Sequence, residues 1–422
     1  MTDGLGLNSG PDATAYQPAT GKNWLPVWAV GLTVFVVTTT EMAPVGILPQ
    51  IAHDLGVSSG TAGVAVTAFG LVAGLLAPIS TIVSSRIDRR TLLLAILIVF
   101  TAGNCLSATA QNYWMFIVSR AATGVIHGLL WSIVAATAIR LVHPKDSVRA
   151  TSIAFSGISL ALVFGVPFGS LLGTATGWRS VFGALAALSI VNIMVVWLFI
   201  PRLTPVETVG VADFRNLLRS SALVAALGIT LVVVVGNYAA YTYIAPFIIG
   251  ERGIDPSLVG PLLLLYGVAG VFGNFLAGYT LDRVGSAPAV LGALALTVSG
   301  SLVLLFSIDS TPGMIILLAL WGLSYSGLPV VLQTIVLRVA GKNSQSATSI
   351  YVLVFNCSIA LGALFGGVAI DEIGSRAPIL AGAALCFTSV IFNIMMTGKL
   401  RVRNCSFTTA TSLPTPTAGP ER

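Results

Sequence analysis

Three ionisable side chains, cysteine and tyrosine aside, stand well inside long apolar runs of this 422-residue sequence: Glu41, Arg120 and His127. A charge in hydrocarbon costs at least about 2.5 kcal/mol on the mildest insertion scale, so such residues are functional by default. A carboxyl whose guanidinium neighbour approaches or withdraws changes its hold on a proton. An imidazole titrates near neutrality and is a rival proton carrier. The chemistry on offer is proton uptake and release by Glu41, tuned by Arg120, with His127 as second carrier. The alternative is an ion pair that merely ties two helices.

Spacing brings these groups to one depth. With the first apolar run crossing outward and the fourth inward, Glu41 lies eight residues before Pro49, and Arg120 seven after Tyr113. At a rise of about 1.5 Å per residue, both sit about 10–12 Å below the outer surface. Arg120, Gly124, His127 and Trp131 follow at intervals of four, three and four, on one helical face. A stripe holding a cation, an imidazole and an indole is expected to line an interior cavity; Trp131 alone reads equally as packing. Asn237, Tyr241, Tyr243, Trp321 and Asn356, from later runs, are the other cavity candidates. Aromatic faces and amides suit sugars or flat neutral solutes.

The elements that position these residues follow from composition. Hydrophobic residues make up 55% of the chain and charged residues 9%, where a soluble domain carries roughly 25% charged. Apolar runs fall at roughly 25–49, 61–84, 91–110, 113–139, 150–174, 179–200, 220–249, 257–281, 287–307, 312–338, 346–370 and 377–398. Each can cross a hydrocarbon core of about 30 Å. The runs are continuous rather than alternating, which excludes a β-barrel and leaves helices. The charge of +6 sits in short loops and tails, and reads as topology rather than nucleic-acid binding. With the N-terminus inside, 17 Lys and Arg are cytoplasmic and three (Arg179, Arg252, Arg376) are outside, so both termini are expected in the cytoplasm.

Residues 1–23 lack the apolar core of a cleavable signal. The Thr-, Ser- and Pro-rich tail from about Asn404 is expected to be disordered. Cys105, Cys357, Cys386 and Cys405 have no metal-like spacing and read as unpaired packing residues. No phosphate-binding Gly-x-x-x-x-Gly-Lys-Ser/Thr sequence and no nucleophile–base pair is present, so neither ATP-driven action nor an enzyme is expected, and no cofactor is implied.

Shifted by 197 residues, the chain matches itself. Gly31, Thr33, Pro49, Gly56 and Arg86 fall on Gly228, Thr230, Pro246, Gly253 and Arg283. Ala150-Thr151-Ser152-Ile153 falls on Ala347-Thr348-Ser349-Ile350, and Gly165, Gly169, Gly177 and Arg179 on Gly362, Gly366, Gly374 and Arg376. The fold class is therefore an all-α membrane protein of twelve helices in two six-helix pseudo-repeats, an architecture of transporters with a site between the halves. The expected division is a tail at 1–24, a bundle at 25–200, a linker at 201–219, a second bundle at 220–398 and a tail at 399–422.

Four stretches carry a family resemblance: Thr39-Thr40-Glu41-Met42-Ala43-Pro44-Val45-Gly46; Arg120-Ala-Ala-Thr-Gly124-Val-Ile-His127-Gly128; Gly165-Val-Pro167-Phe-Gly169 followed by Gly177-Trp178-Arg179; and Asp282-Arg283-Val-Gly285. With the repeat and the segment Tyr238–Phe247, they resemble the major facilitator superfamily over roughly residues 25–398. Within it they resemble the drug:proton antiporter branch and its bacterial sugar efflux transporters. The resemblance implies that the first and fourth helices are neighbours. It makes Gly157, Gly165, Pro167, Gly169 and Gly173 an exporter motif, whose physics is close helix approach with a proline bend. It also implies a charge latch between helix ends, a gating device. The first copy departs from the family pattern, with Ser85, Arg86, Asp88, Arg89 and Arg90; the second keeps Gly278, Asp282, Arg283 and Gly285.

The expectation is a secondary transporter of the inner membrane, a monomer in the lipid bilayer without nucleic-acid partners. It would export small organic solutes, sugars or sugar-like compounds first, in exchange for protons. The alternatives are efflux of chloramphenicol-like drugs or nucleosides, a facilitator or importer, and a non-transporting receptor.

Overall fold

Runs of Leu, Val, Ala and Ile, punctuated by short polar turns, wind into long helices throughout the computed structural model, which describes residues 24–84, 87–203, 215, 217–308, 310–340 and 344–408. The first half holds α1 (Leu25–Asp54), α2 (Ser59–Ser84), α3 (Arg89–Ala108), α4 (Tyr113–Arg140), α5 (Ser147–Leu160), α6 (Val166–Thr176) and α7 (Trp178–Phe199). The second holds α8 (Ser221–Tyr241), α9 (Val259–Val284), α10 (Ala287–Ser307), α11 (Thr311–Ala340), α12 (Ser344–Glu372) and α13 (Ala377–Thr408). No strand occurs among the described residues. Eleven spans are long and apolar enough to cross a bilayer; α4, bent by 48° between Tyr113–Trp131 and Ile133–Arg140, makes the twelfth. Phe272, Phe275, Leu75 and Ile98 are exposed, as lipid contact requires.

Side chains set where helices begin. Asp88 Oδ1 accepts from the Thr91 backbone N–H at 3.0 Å, and Asn112 Oδ1 from that of Met115 at 2.9 Å. Glycines set four of the turns between spans: Gly56 and its repeat mate Gly253 have φ of 65° and 61°, Gly177 and Gly374 of 91° and 123°. Those angles strain any residue with a Cβ.

Besides α4, two spans depart from straight helices. The fifth is α5 and α6 joined through a π-turn at Ala161–Gly165, which ends two residues before Pro167. The wider turn accommodates the proline's missing N–H and its ring. The seventh was expected to run unbroken over 220–249. Instead α8 stops at Tyr241, and a turn at Ile244–Pro246 leads into a π-turn at Phe247–Glu251. Pro246 has no N–H with which to continue the ladder. The twelfth apolar span is Ala377–Met396, against the expected 377–398, and its helix α13 continues beyond it to Thr408; Pro414 is the first proline after Pro378.

Glycines bring helices into backbone contact, and the two halves reuse the geometry. A Cβ on Gly31 of α1 would lie 2.9 Å from the Ile153 carbonyl oxygen of α5, and one on Gly124 of α4 2.6 Å from that of Phe69 in α2. In the second half, a Cβ on Gly362 of α12 would lie 2.6 Å from the Val235 oxygen of α8; Gly273 of α9 and Gly322 of α11 approach each other's helices as closely. Small residues permit such crossings where no hydrophobic effect drives helices together.

The halves meet along α2 and α12. Along its length this seam holds, in order, Ser58 and Gly60 against Asp371, Gly70 against the Asn356 backbone, Gly74 against Cys357, and Thr81 against Ser349. On the opposite side, Gly267 and Gly260 of α9 pack on Leu162 and Leu171.

Candidate functional site

Glu41, Arg120 and His127 converge in the interior. The Glu41 side chain is 7% exposed and that of His127 1%, and Arg120 is fully buried. α1 and α4 are neighbours, and Arg120 Nη2 donates to the Glu41 main-chain oxygen at 3.3 Å. The carboxylate itself turns to His127, with Oε2 3.7 Å from Nε2. The Arg120 guanidinium lies 4.8 Å from the Phe69 ring centroid and 5.9 Å from that of Phe182. Its Nε and Nη1 have no hydrogen-bond partner among the described residues, nor does His127 Nδ1. Buried polar groups without partners are costly.

The helical stripe divides its work. Gly124 packs against α2, Arg120 and His127 are buried, and Trp131 is half-buried. Trp131 Nε1 donates to His127 Nε2 at 2.8 Å, and its ring stacks on Phe155 of α5 with centroids 6.2 Å apart.

The second half answers with neutral groups. Trp321 is fully buried and donates from Nε1 to Asn237 Oδ1 at 2.8 Å, leaving Asn237 Nδ2 unpartnered. Tyr241 stacks on Tyr266 at 4.9 Å, and Trp321 meets both rings edge-on. Tyr238 bridges the halves: its ring meets Tyr241 and Tyr325, and its hydroxyl reaches Met42 Sδ at 3.8 Å, one residue from Glu41. Asn356 donates to the Val352 oxygen at 3.0 Å, and its Oδ1 has no partner. Tyr243 stands apart from this aromatic group. Its hydroxyl donates to the Ala363 oxygen at 2.6 Å, and its ring wedges among Gly63, Gly366 and Gly367 at the seam.

Tyr266 and Tyr325 complete the aromatic wall and were not singled out from sequence. Their position opposite Trp321 and Tyr238 depends on how α9 and α11 cross. The available signal was a polar aromatic inside an apolar run.

The gating candidates lie at the rim. Asp88 also accepts the Leu203 backbone N–H at 2.5 Å, Arg90 donates to the Trp197 oxygen, and the Arg89 N–H meets the Leu203 oxygen at 3.1 Å. This first copy joins the start of α3 to the end of the sixth span, within one half. Arg86 lies outside the described residues. Asp282 and Arg283 are exposed at the end of α9, with Arg283 over the Tyr279 ring at 5.3 Å. Along the glycine and proline string of the fifth span, Gly157 sits against the Gly31 backbone, Gly165 against Thr39, and Gly169 against Val181.

Twelve repeated spans around a buried polar centre are the form of a membrane transporter, and comparison with known proteins names the class. The family model described as Major Facilitator Superfamily matches residues 30–247 and 226–407. The chain belongs to the major facilitator superfamily. It is 31% identical over 376 residues to a protein named "Probable sugar efflux transporter" of Helicobacter pylori (strain P12), covering 89% of this chain and 96% of that one. The strain J99 counterpart matches to the same extent. Among solved structures, the human organic anion transporter MFSD10 (TETRAN) matches with a TM-score of 0.64 at 17% identity, over 87% of this chain and 98% of that one. A bacterial homologue of the human lysosomal transporter Spinster, in an inward-facing and unoccupied conformation, gives 0.66 at 16%, over 89% and 96%. At these identities the structures speak for the fold alone.

Proposed function

We propose that this protein exports small organic solutes, sugars or sugar-like compounds first, across the inner membrane in exchange for protons. Both termini face the cytoplasm, and the working unit is the monomer. The observation that carries the reading is the buried Glu41 carboxylate beside His127 and Arg120, facing neutral aromatic and amide groups of the other half. A proton carrier in one half and uncharged stacking faces in the other suit exchange of a proton for a neutral hydroxylated solute. The curated relatives' name supports sugar efflux as the first substrate class to test. The stacked Tyr241–Tyr266 pair with Trp321 edge-on favours a second reading, efflux of flat aromatic drugs or nucleosides.

Everted vesicles with an imposed pH gradient test the proposal. Wild-type protein should concentrate a radiolabelled sugar into the vesicle lumen against its gradient, and Glu41→Gln should abolish that uphill step while allowing downhill flux. Uphill export by Glu41→Gln would rule out Glu41 as the carrier. Uphill movement of chloramphenicol or nucleosides, with none of sugars, would select the second reading.

A further inference from the structure

An indole N–H donates a hydrogen bond and cannot accept one. Trp131 Nε1 lies 2.8 Å from His127 Nε2, so Nε2 presents its lone pair to the indole. The neutral imidazole then carries its proton on Nδ1, which has no hydrogen-bond partner among the described residues. Glu41 Oε2 stands 3.7 Å from that same Nε2. The distance is too long for a hydrogen bond, and the lone pair is already taken.

We propose that Trp131 is a positioning residue that holds the Glu41-to-His127 proton step closed, by occupying the one lone pair on which Glu41 can place its proton. The proposal rests on the proton-exchange reading above. The step opens when Trp131 swings off Nε2 and Glu41 closes the gap. The Glu41 O–H bond then breaks and an Nε2–H bond forms. The carboxyl becomes a carboxylate, and the ring becomes an imidazolium that keeps its Nδ1–H.

The groups around His127 leave few rivals. α1 presents Glu41. α4 itself presents Arg120, two turns outward. α8 presents Tyr238, beside Met42. α2 presents the Phe69 ring, edge-on at 4.9 Å, and has no ionisable side chain. The only ionisable side chain of α5 is Arg149, which lies over the Trp24 ring at 4.7 Å. Trp131 is also placed to move. It is half-buried where His127 is buried, it is the last residue before the 48° bend of α4, and it stacks on Phe155 of α5. A shift of α5 against the inner part of α4 would carry the indole with it, so the proton step would open with the helices.

Two measurements on the full-length protein decide. The first is the 15N spectrum of histidine-labelled protein; the chain has three histidines, and His127→Asn assigns the signal. Wild-type His127 should be the neutral Nδ1–H tautomer, and Trp131→Phe should shift it to the Nε2–H form. A wild-type Nε2–H tautomer, or one that Trp131→Phe leaves unchanged, overturns the proposal, and the wild-type spectrum decides even if the variant does not fold. The second is substrate-independent proton leak in proteoliposomes, read with a pH dye. Trp131→Phe should leak several-fold faster than wild type, and adding His127→Asn should return the leak to the wild-type rate. A leak that stays at the wild-type rate although the tautomer has changed also overturns it, as does a leak that His127→Asn does not suppress. Failure of the antiport reading is separate: it shows as uphill export by Glu41→Gln, whatever the tautomer reports.

Discussion

Arg120 is the most constrained residue of the buried centre. Its guanidinium touches the Glu41 backbone and lies over Phe69, so planarity matters as well as charge. A lysine there keeps the charge and loses the fork and the stacked face. Arg120→Lys should lose about 1–2 kcal/mol of desolvated cation–π contact, seen as roughly tenfold slower uphill export with little change in the amount of folded protein. Export at the wild-type rate would show that charge alone suffices. The depth count placed Glu41 and Arg120 level, and the Arg120 guanidinium reaches the Glu41 main-chain oxygen. Sequence could not tell that the arginine meets the backbone oxygen while the carboxylate turns to His127. Rotamers answer to neighbours from other helices, and spacing along one helix does not contain them.

At the scale of elements, the glycines have the clearest consequence. A Cβ on Gly157 would come within 2.8 Å of the Phe35 nitrogen and 2.9 Å of Val34 Cβ, so α1 and α5 would have to part. Gly157→Val should cost about 1–3 kcal/mol by overpacking and lower the midpoint of thermal unfolding in detergent. At Gly183, where a Cβ meets nothing within 4 Å, Gly183→Ala should leave the midpoint within a degree or two. An equal effect at both sites would refute the close-contact argument. The exporter motif was legible as a string of glycines and a proline. Which helix each glycine faces was not, because a glycine looks the same against any partner. The break in the seventh span follows the same logic: Pro246 was visible, but hydropathy does not register a proline's effect on the backbone.

Across the whole molecule, repeat-related contacts brace each half at the end that carries Gly56 and Gly177. Arg179 pairs with Asp54, and Arg376 with Glu251, tying the first span of each half to its sixth. Between the halves, Asp371 accepts from Ser58 Oγ at 2.5 Å and the Gly60 N–H at 3.0 Å. This contact must open if the halves part at that end. Asp371→Ala should remove both hydrogen bonds, raising several-fold the labelling of a cysteine placed at Thr67 by an impermeant thiol reagent. Unchanged labelling would mean that the seam is held elsewhere. The Glu251 pair carries a pH signature. The Ser375 hydroxyl and then Arg376, each at 2.6 Å, hold the Glu251 carboxyl below the usual range. A carboxyl with a lowered folded-state value adds stability above the ordinary glutamate value of about 4.3, and that stability is lost as the pH falls through the folded value. Wild type should therefore unfold above Glu251→Gln at neutral pH, by a margin that shrinks in acid. A margin independent of pH would refute the assignment.

The membrane class, the twelve spans, the twofold repeat and the segregation of deep charge into the first half were all determined by the sequence. Hydropathy, charge bias and a fixed offset act along the chain, and each can be read one residue at a time. Only the tertiary structure decided which candidates share a site. It grouped Trp321 and Tyr241 with the unforeseen Tyr266 and Tyr325, and set Tyr243 into the seam at the Ala363 oxygen. It also gave His127 two suitors for one lone pair. Such choices depend on crossing angles and rotamers among helices far apart in sequence, and no local pattern encodes them.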